Sequence, residues 1–196
     1  TMAIGTVIAI AQKDVKRVLA YSAIAHSGFL LTGIIALSKD GLNATLIYLF
    51  TYGFTTIGTF AIVTLVRDSG GEVSDLNRWV GLGKRSPLVA GTFTLFLLGL
   101  AGIPLTSGFV GKFAIFTAAY KSGNISVVVA GVLASAIAAF FYIRIIVMMY
   151  FSDPVEDGTS VVIPSAMTAA TIAICAVATL AMGIYPQPVI SAINSL

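Results

Sequence analysis

The stretch Leu100-Ala101-Gly102-Ile103-Pro104-Leu105-Thr106-Ser107-Gly108, followed four residues later by Lys112, decides how this chain is read. It interrupts an apolar run that extends from 87 to 121. As one helix that run would be roughly 52 Å long at 1.5 Å per residue, too long for one straight crossing of a hydrocarbon core about 30 Å thick. The helix must therefore break, and Gly99, Gly102, Pro104 and Gly108 mark the place. Pro104 removes a backbone donor and its ring clashes with the preceding turn, which predicts two half-helices flanking an unwound segment. Unwound backbone at bilayer depth is tolerated only within protein or beside water. A charge at that depth costs roughly 2.5–3.5 kcal/mol on insertion scales, so Lys112 beside the break points to an ion or proton site.

Composition supports a membrane protein. Hydrophobic residues make up 58% and charged residues 10%, whereas a soluble domain carries about 25% charge. The single cysteine, Cys175, excludes a disulfide framework and any cluster held by four thiolates. The single histidine, His26, excludes haem ligated by two histidines, and no glycine-rich nucleotide motif follows a strand. No redox centre, cofactor or metal site is expected in this chain, and no nucleic acid partner. The net charge of +3 reads as membrane topology.

Working outward from the break, apolar runs fall at about 1–11, 18–37, 42–66, 87–121, 125–150 and 162–186. The first is too short to span and carries neither the basic region nor the cleavage site of a signal peptide, so the chain is expected to begin part-way through a transmembrane helix. Each later run reaches the roughly 20 residues a crossing needs. The predicted fold class is all-α, a polytopic transmembrane helix bundle with one discontinuous helix near residues 100–108. Basic residues orient it. Lys13, Lys16, Arg17, Arg67, Arg78, Lys84 and Arg85 lie on side one, against Lys39 and Lys121 on side two. The positive-inside rule puts side one in the cytoplasm and the C-terminus outside.

Arg144 can snorkel towards side one, while the acidic loop Asp153-Pro154-Val155-Glu156-Asp157 weighs little in the rule. Lys13, Lys16 and Arg17 read as topology and anionic-lipid contacts rather than ion entry. All eight acids fall outside the apolar runs' interiors and read as loop residues, which leaves Lys112 without an intramembrane carboxylate partner in this chain. Within the loop 67–86, Ser74-Asp75-Leu76-Asn77-Arg78-Trp79 predicts a short interfacial helix, with Ser74 as its cap and Trp79 at headgroup depth.

Three groups of intramembrane polar residues each carry a functional and a bland reading. Burial penalises the ammonium form of Lys112, the condition for a residue that exchanges its proton; alternatively the lysine satisfies carbonyls freed by the broken helix. Tyr48, Tyr52, Thr55, Thr56 and Thr59 gather on one flank of the third run at spacings of three and four. They could line a water wire, or they could let helices approach and hydrogen-bond. His26, one turn after Ser22, could relay protons or serve as a hydrogen-bonded packing residue.

These residues carry a resemblance. Asp14-Val15-Lys16-Arg17-Val18-Leu19-Ala20-Tyr21-Ser22, then Ala25-His26-Ser27-Gly28-Phe29, resembles the antiporter-like membrane subunits of respiratory complex I (NADH:quinone oxidoreductase) and of Mrp cation/proton antiporters. The stretch Gly102-Ile103-Pro104-Leu105-Thr106-Ser107-Gly108-Phe109-Val110-Gly111-Lys112-Phe113 is similar to their broken twelfth helix, lysine included. Leu76 to Arg85 resembles the cytoplasmic loop before that helix, and Met182-Gly183-Ile184-Tyr185-Pro186-Gln187-Pro188 the closing segment. One sister subunit has a lysine in the eleventh helix where this chain has Thr56, and another has glutamate in place of Lys112. The pattern here fits the third sister.

The resemblance implies a second five-helix repeat over residues 1–150, its first helix truncated, and a connecting loop with the final transmembrane helix over 151–196. It implies a proton-translocating subunit of a bacterial plasma (inner) membrane enzyme, surrounded by the enzyme's other membrane subunits and by lipid. Lys112 would be a protonatable station handing a proton outward, and Thr106 and Ser107 would hold water at the break. Flavin mononucleotide, iron–sulfur clusters and quinone would belong to partner subunits. An Mrp-type cation/proton antiporter subunit and a structural membrane spacer are the alternatives.

Overall fold

Side-chain caps open three of the α-helices in a computed structural model that describes residues 1–153 and 159–195. After α1 (Met2–Ile10), Asp14 accepts the backbone N–H of Arg17 and opens α2 (Val15–Ile35). Ser38 accepts the N–H of Gly41 and opens α3 (Lys39–Val63). A short α4 (Leu82–Arg85) precedes α5 (Pro87–Ala101), which begins on a proline, the residue whose missing N–H costs nothing there. Then come α6 (Ser107–Lys121), α7 (Ile125–Phe151), α8 (Ala166–Ile184), whose cap Ser165 accepts from Thr168, and α9 (Gln187–Asn194).

Among the described residues α2, α3, α7 and α8 are long and apolar enough to cross a membrane. At 15 residues each, α5 and α6 reach only roughly 22 Å, so neither half of the discontinuous helix crosses alone. The break falls between Ala101 and Ser107, where it was expected.

Helix α3 forms the axis, packed on α2, α5, α6 and α8. Towards side one the core holds Val15, Leu19, Ile62, Phe93, Phe96, Tyr142, Ile145 and Met149; towards side two a smaller core gathers Phe29, Tyr48, Ile115 and Ala134. Outward faces stay apolar at Leu49, Phe50, Ile57, Phe113, Leu133, Phe140 and Val177, as helices bordered by hydrocarbon require.

The helical class holds, with a small sheet added at the side-one rim. Strands β1 (Val66–Asp68), β2 (Gly71–Glu72) and β3 (Ser160–Val161) run antiparallel in the order β2-β1-β3, with Arg67 opposite Glu72 and Val66 opposite Val161. The expected interfacial helix is instead a 3-10 turn, Leu76–Trp79, capped by Asp75 rather than Ser74. Ser74 donates to Asp14 Oδ2 at 2.5 Å. Trp79 does not present its ring to the surface: it is fully buried against Phe93, and its indole N–H donates to the Val73 carbonyl at 3.0 Å. The cause is main-chain stitching: Leu76 N–H reaches the Lys13 carbonyl and Val15 N–H the Ser74 carbonyl, folding this loop onto the bundle.

Asp40 also departs from the loop reading. It sits in the first turn of α3, 3.9 Å from Lys121, still at the side-two rim. The acidic positions Glu156 and Asp157 lie outside the described residues.

Candidate functional site

The last four carbonyls of any helix lack intrahelical partners. In α5 these belong to Leu98, Gly99, Leu100 and Ala101. Gly102 takes a left-handed conformation, φ +81°, which a residue without Cβ adopts at no steric cost. Its N–H then reaches the Gly99 carbonyl while the N–H of Ile103 reaches Leu98, a Schellman closure. Leu100 and Ala101 remain, and Lys112 takes both. Its Nζ lies 3.1 Å from the Leu100 carbonyl, 2.9 Å from that of Ala101 and 2.9 Å from Ser135 Oγ. An ammonium has three N–H donors, and each has one acceptor here. Pro104 therefore does not break the helix as the sequence reading supposed. It follows a helix already closed by Gly102.

Lys112 is 5% exposed. It stands at the negative end of the α5 dipole, which favours a cation, and its Nζ lies 4.9 Å from the centre of the Phe29 ring. Helix α6 can approach this closely because residue 108 is glycine: a Cβ there would overlap the Gly99 carbonyl. A cleft of about 330 Å³ between α6 and α7 reaches Lys112 past Phe113, Val132 and the half-buried Ser135.

Behind Phe29 lies a second polar cluster. The Phe29 ring meets His26 edge-on at 5.7 Å. His26 Nδ1 is 2.6 Å from the Tyr48 hydroxyl and Nε2 is 3.3 Å from that of Tyr142, which in turn bonds Ser22. Tyr52 stacks on the imidazole at 4.5 Å.

The predicted flank of α3 thus divides. Tyr48 and Tyr52 serve the His26 cluster, while Thr55 lies 3.3 Å from Ser107 and 3.4 Å from Thr179 beside the break. Thr59 donates to the Thr55 carbonyl at 2.6 Å, Thr106 to that of Ile103 at 2.7 Å, and half-buried Thr56 makes none of these bonds. Sequence reasoning missed Phe29, Ser135, Tyr142 and Thr179. The signal for Ser135 and Tyr142 was a polar group set in the interior of the mostly apolar run 125–150. Among the described residues no three His, Cys, Asp or Glu side chains come together as a metal site would require.

Fold and site together define a multi-pass membrane bundle built round a discontinuous helix with a buried cation at the break. The chain belongs to the family of NADH:quinone oxidoreductase/Mrp antiporter transmembrane proteins, whose profile matches residues 1–138. It is 59% identical over 187 residues to NADH-quinone oxidoreductase subunit N of Rhodococcus opacus, covering 95% of this chain and 35% of that protein. A subunit N of Streptomyces griseus is 58% identical, with coverage of 95% and 34%. The sister pattern read from Thr56 and Lys112 agrees with this likeness. The chain thus spans about a third of the length of these relatives.

Among solved structures, respiratory complex I from Thermus thermophilus matches with a TM-score of 0.85 at 30% identity, over 98% of this chain and 43% of that one. The Mrp complex from Dietzia has the same TM-score at 23% identity, covering 100% and 44%, and shares the fold.

Proposed function

We propose that this chain is the proton-handling part of a subunit N in a bacterial respiratory NADH:quinone oxidoreductase. In this reading residues 1–150 form the second five-helix repeat and 151–196 the connecting loop and final crossing. Side one faces the cytoplasm and the C-terminus faces outward. The other membrane subunits and lipid cover the apolar faces. Flavin mononucleotide, iron–sulfur clusters and quinone belong to partner subunits, and the likeness to subunits N supports that division. Lys112 is the protonatable station. The observation that carries this is its buried seat on the Leu100 and Ala101 carbonyls at the helix break, the kind of polar pocket that discontinuous transporter helices create.

The same bonds support a second reading, in which Lys112 is only a cap for α5. NADH-driven proton uptake into inverted membrane vesicles separates the two. With Lys112→Met in an assembled enzyme, uptake is lost if the lysine is a station. Uptake at the unaltered rate per NADH would leave it as a cap.

A further inference from the structure

We infer that Ser135 is the group through which Lys112 exchanges its proton; the inference rests on Lys112 being a protonatable station. The two carbonyls that hold Nζ can only accept hydrogen bonds. A neutral amine has two N–H donors and a lone pair, so after losing a proton it still satisfies Leu100 and Ala101 but presents a lone pair to its third neighbour. That neighbour is Ser135 Oγ, 2.9 Å away. A hydroxyl both donates and accepts, so Ser135 alone among these three partners suits both protonation states.

Its place in the fold fits the task. Lys112 is buried, whereas Ser135 is half-buried and stands on the wall of the cleft between α6 and α7. The cleft, about 330 Å³, has room for water, and its wall is apolar except at Lys112 and Ser135, so a water entering it finds its side-chain partners there. Exchange then balances as follows. The Nζ proton facing Ser135 passes to Oγ as the serine's own hydroxyl proton passes to a cleft water, giving hydronium and a neutral amine. The hydrogen now on Oγ already lies along the line to Nζ, where it is donated to the new lone pair. Reloading reverses both transfers. No side chain has to move.

The test uses the whole enzyme in inverted membrane vesicles, with Ser135→Ala, Ser135→Thr and Lys112→Met compared for NADH-driven proton uptake, NADH oxidation and assembly. Ser135→Ala is expected to slow uptake about tenfold, less than the roughly hundredfold minimum for a positioned acid–base group because cleft water can fill the vacated place. Ser135→Thr restores the rate, since it keeps the hydroxyl and places its methyl at the open wall. If Ser135→Ala does not assemble, Ser135→Cys keeps the volume with only a weak donor and should show the same slowing. Uptake unchanged in an assembled Ala or Cys variant, with Lys112→Met defective, overturns the role of Ser135 alone. Normal uptake in Lys112→Met overturns the station and this inference with it. Failure of Thr to rescue overturns the hydroxyl's role.

Discussion

Two α-helix ends among the described residues, those of α1 and α5, meet a basic side chain sent from another helix, and they behave differently. At the side-one rim, Arg144 of α7 donates to the Ile10 carbonyl at the end of α1, a single exposed bond of 3.2 Å. At the break, Lys112 of α6 closes α5 with two carbonyls and a hydroxyl, buried. Both use the attraction between a cation and a helix C-terminus. At the rim water shares the work, so a permanently charged guanidinium suffices. In the interior the Leu100 and Ala101 carbonyls take their bonds from Lys112, and the residue supplied is an amine whose charge responds to burial. Depth turns a cap into a candidate for chemistry.

The sharpest way to break this comparison is to exchange the residue types. Lys112→Arg keeps a donor at the α5 end but fixes the charge. Proton uptake should fall to the level of Lys112→Met while assembly, read on native gels, survives. Uptake at the original rate would mean the interior cation does no more than the rim one. Gly102→Ala tests the other half of the closure. A left-handed conformation costs a residue with Cβ roughly 1–2 kcal/mol, and the new methyl would also press on the Lys112 side chain. A lower temperature of heat inactivation together with slower uptake is expected. Heat inactivation unchanged would place the helix ending elsewhere.

Smaller effects should follow further from the break. Tyr142→Phe strands His26 and Ser22 without their shared partner, at a cost of about 1–3 kcal/mol for buried groups left unpaired. Heat inactivation should again report it. Arg144→Ala at the rim should cost less than about 1 kcal/mol and leave uptake unaltered; slower uptake would erase the distinction between the two ends. The smallest effect concerns Asp14. Burial pushes its carboxyl up, but hydrogen bonds from the Ser74 hydroxyl and the backbone N–H groups of Arg17 and Lys16 outweigh this and hold it below the usual range. Its contribution is complete above the ordinary carboxylate pKa and is lost as acidification protonates the folded form. Unfolding by acid should therefore be less steep in Ser74→Ala, and an identical profile would remove that bond from the account.

What the sequence disclosed follows from how local each signal is. The break was legible because four Gly and Pro residues crowd into ten positions, and Lys112 because charge is rare in such a run. That Gly102 and not Pro104 closes α5 depends on backbone angles two residues apart, which composition does not resolve. Phe29, Ser135, Tyr142 and Thr179 belong to helices brought together only by packing. Periodicity can assign them to a face but cannot name the neighbour across from it. The burial of Trp79 was hidden for the same reason: an aromatic near a membrane boundary suits headgroups and core alike, and the stitching to Lys13 and Ser74 turns it inward.

The small sheet at the rim has a mechanical consequence. Strand β1 follows α3 and β3 precedes α8, so their pairing, extended by the bond from Val162 N–H to the Leu65 carbonyl, ties the two ends of the segment that contains α5, α6 and α7. Arg85 adds bonds to the carbonyls of Arg78, Val80 and Thr159 across the same junction. A lever clamped at its base can bend only along its length. Along that length the helical backbone is interrupted at the link between Ala101 and Ser107, and Lys112, one turn into α6, braces that link through its bonds to the Leu100 and Ala101 carbonyls.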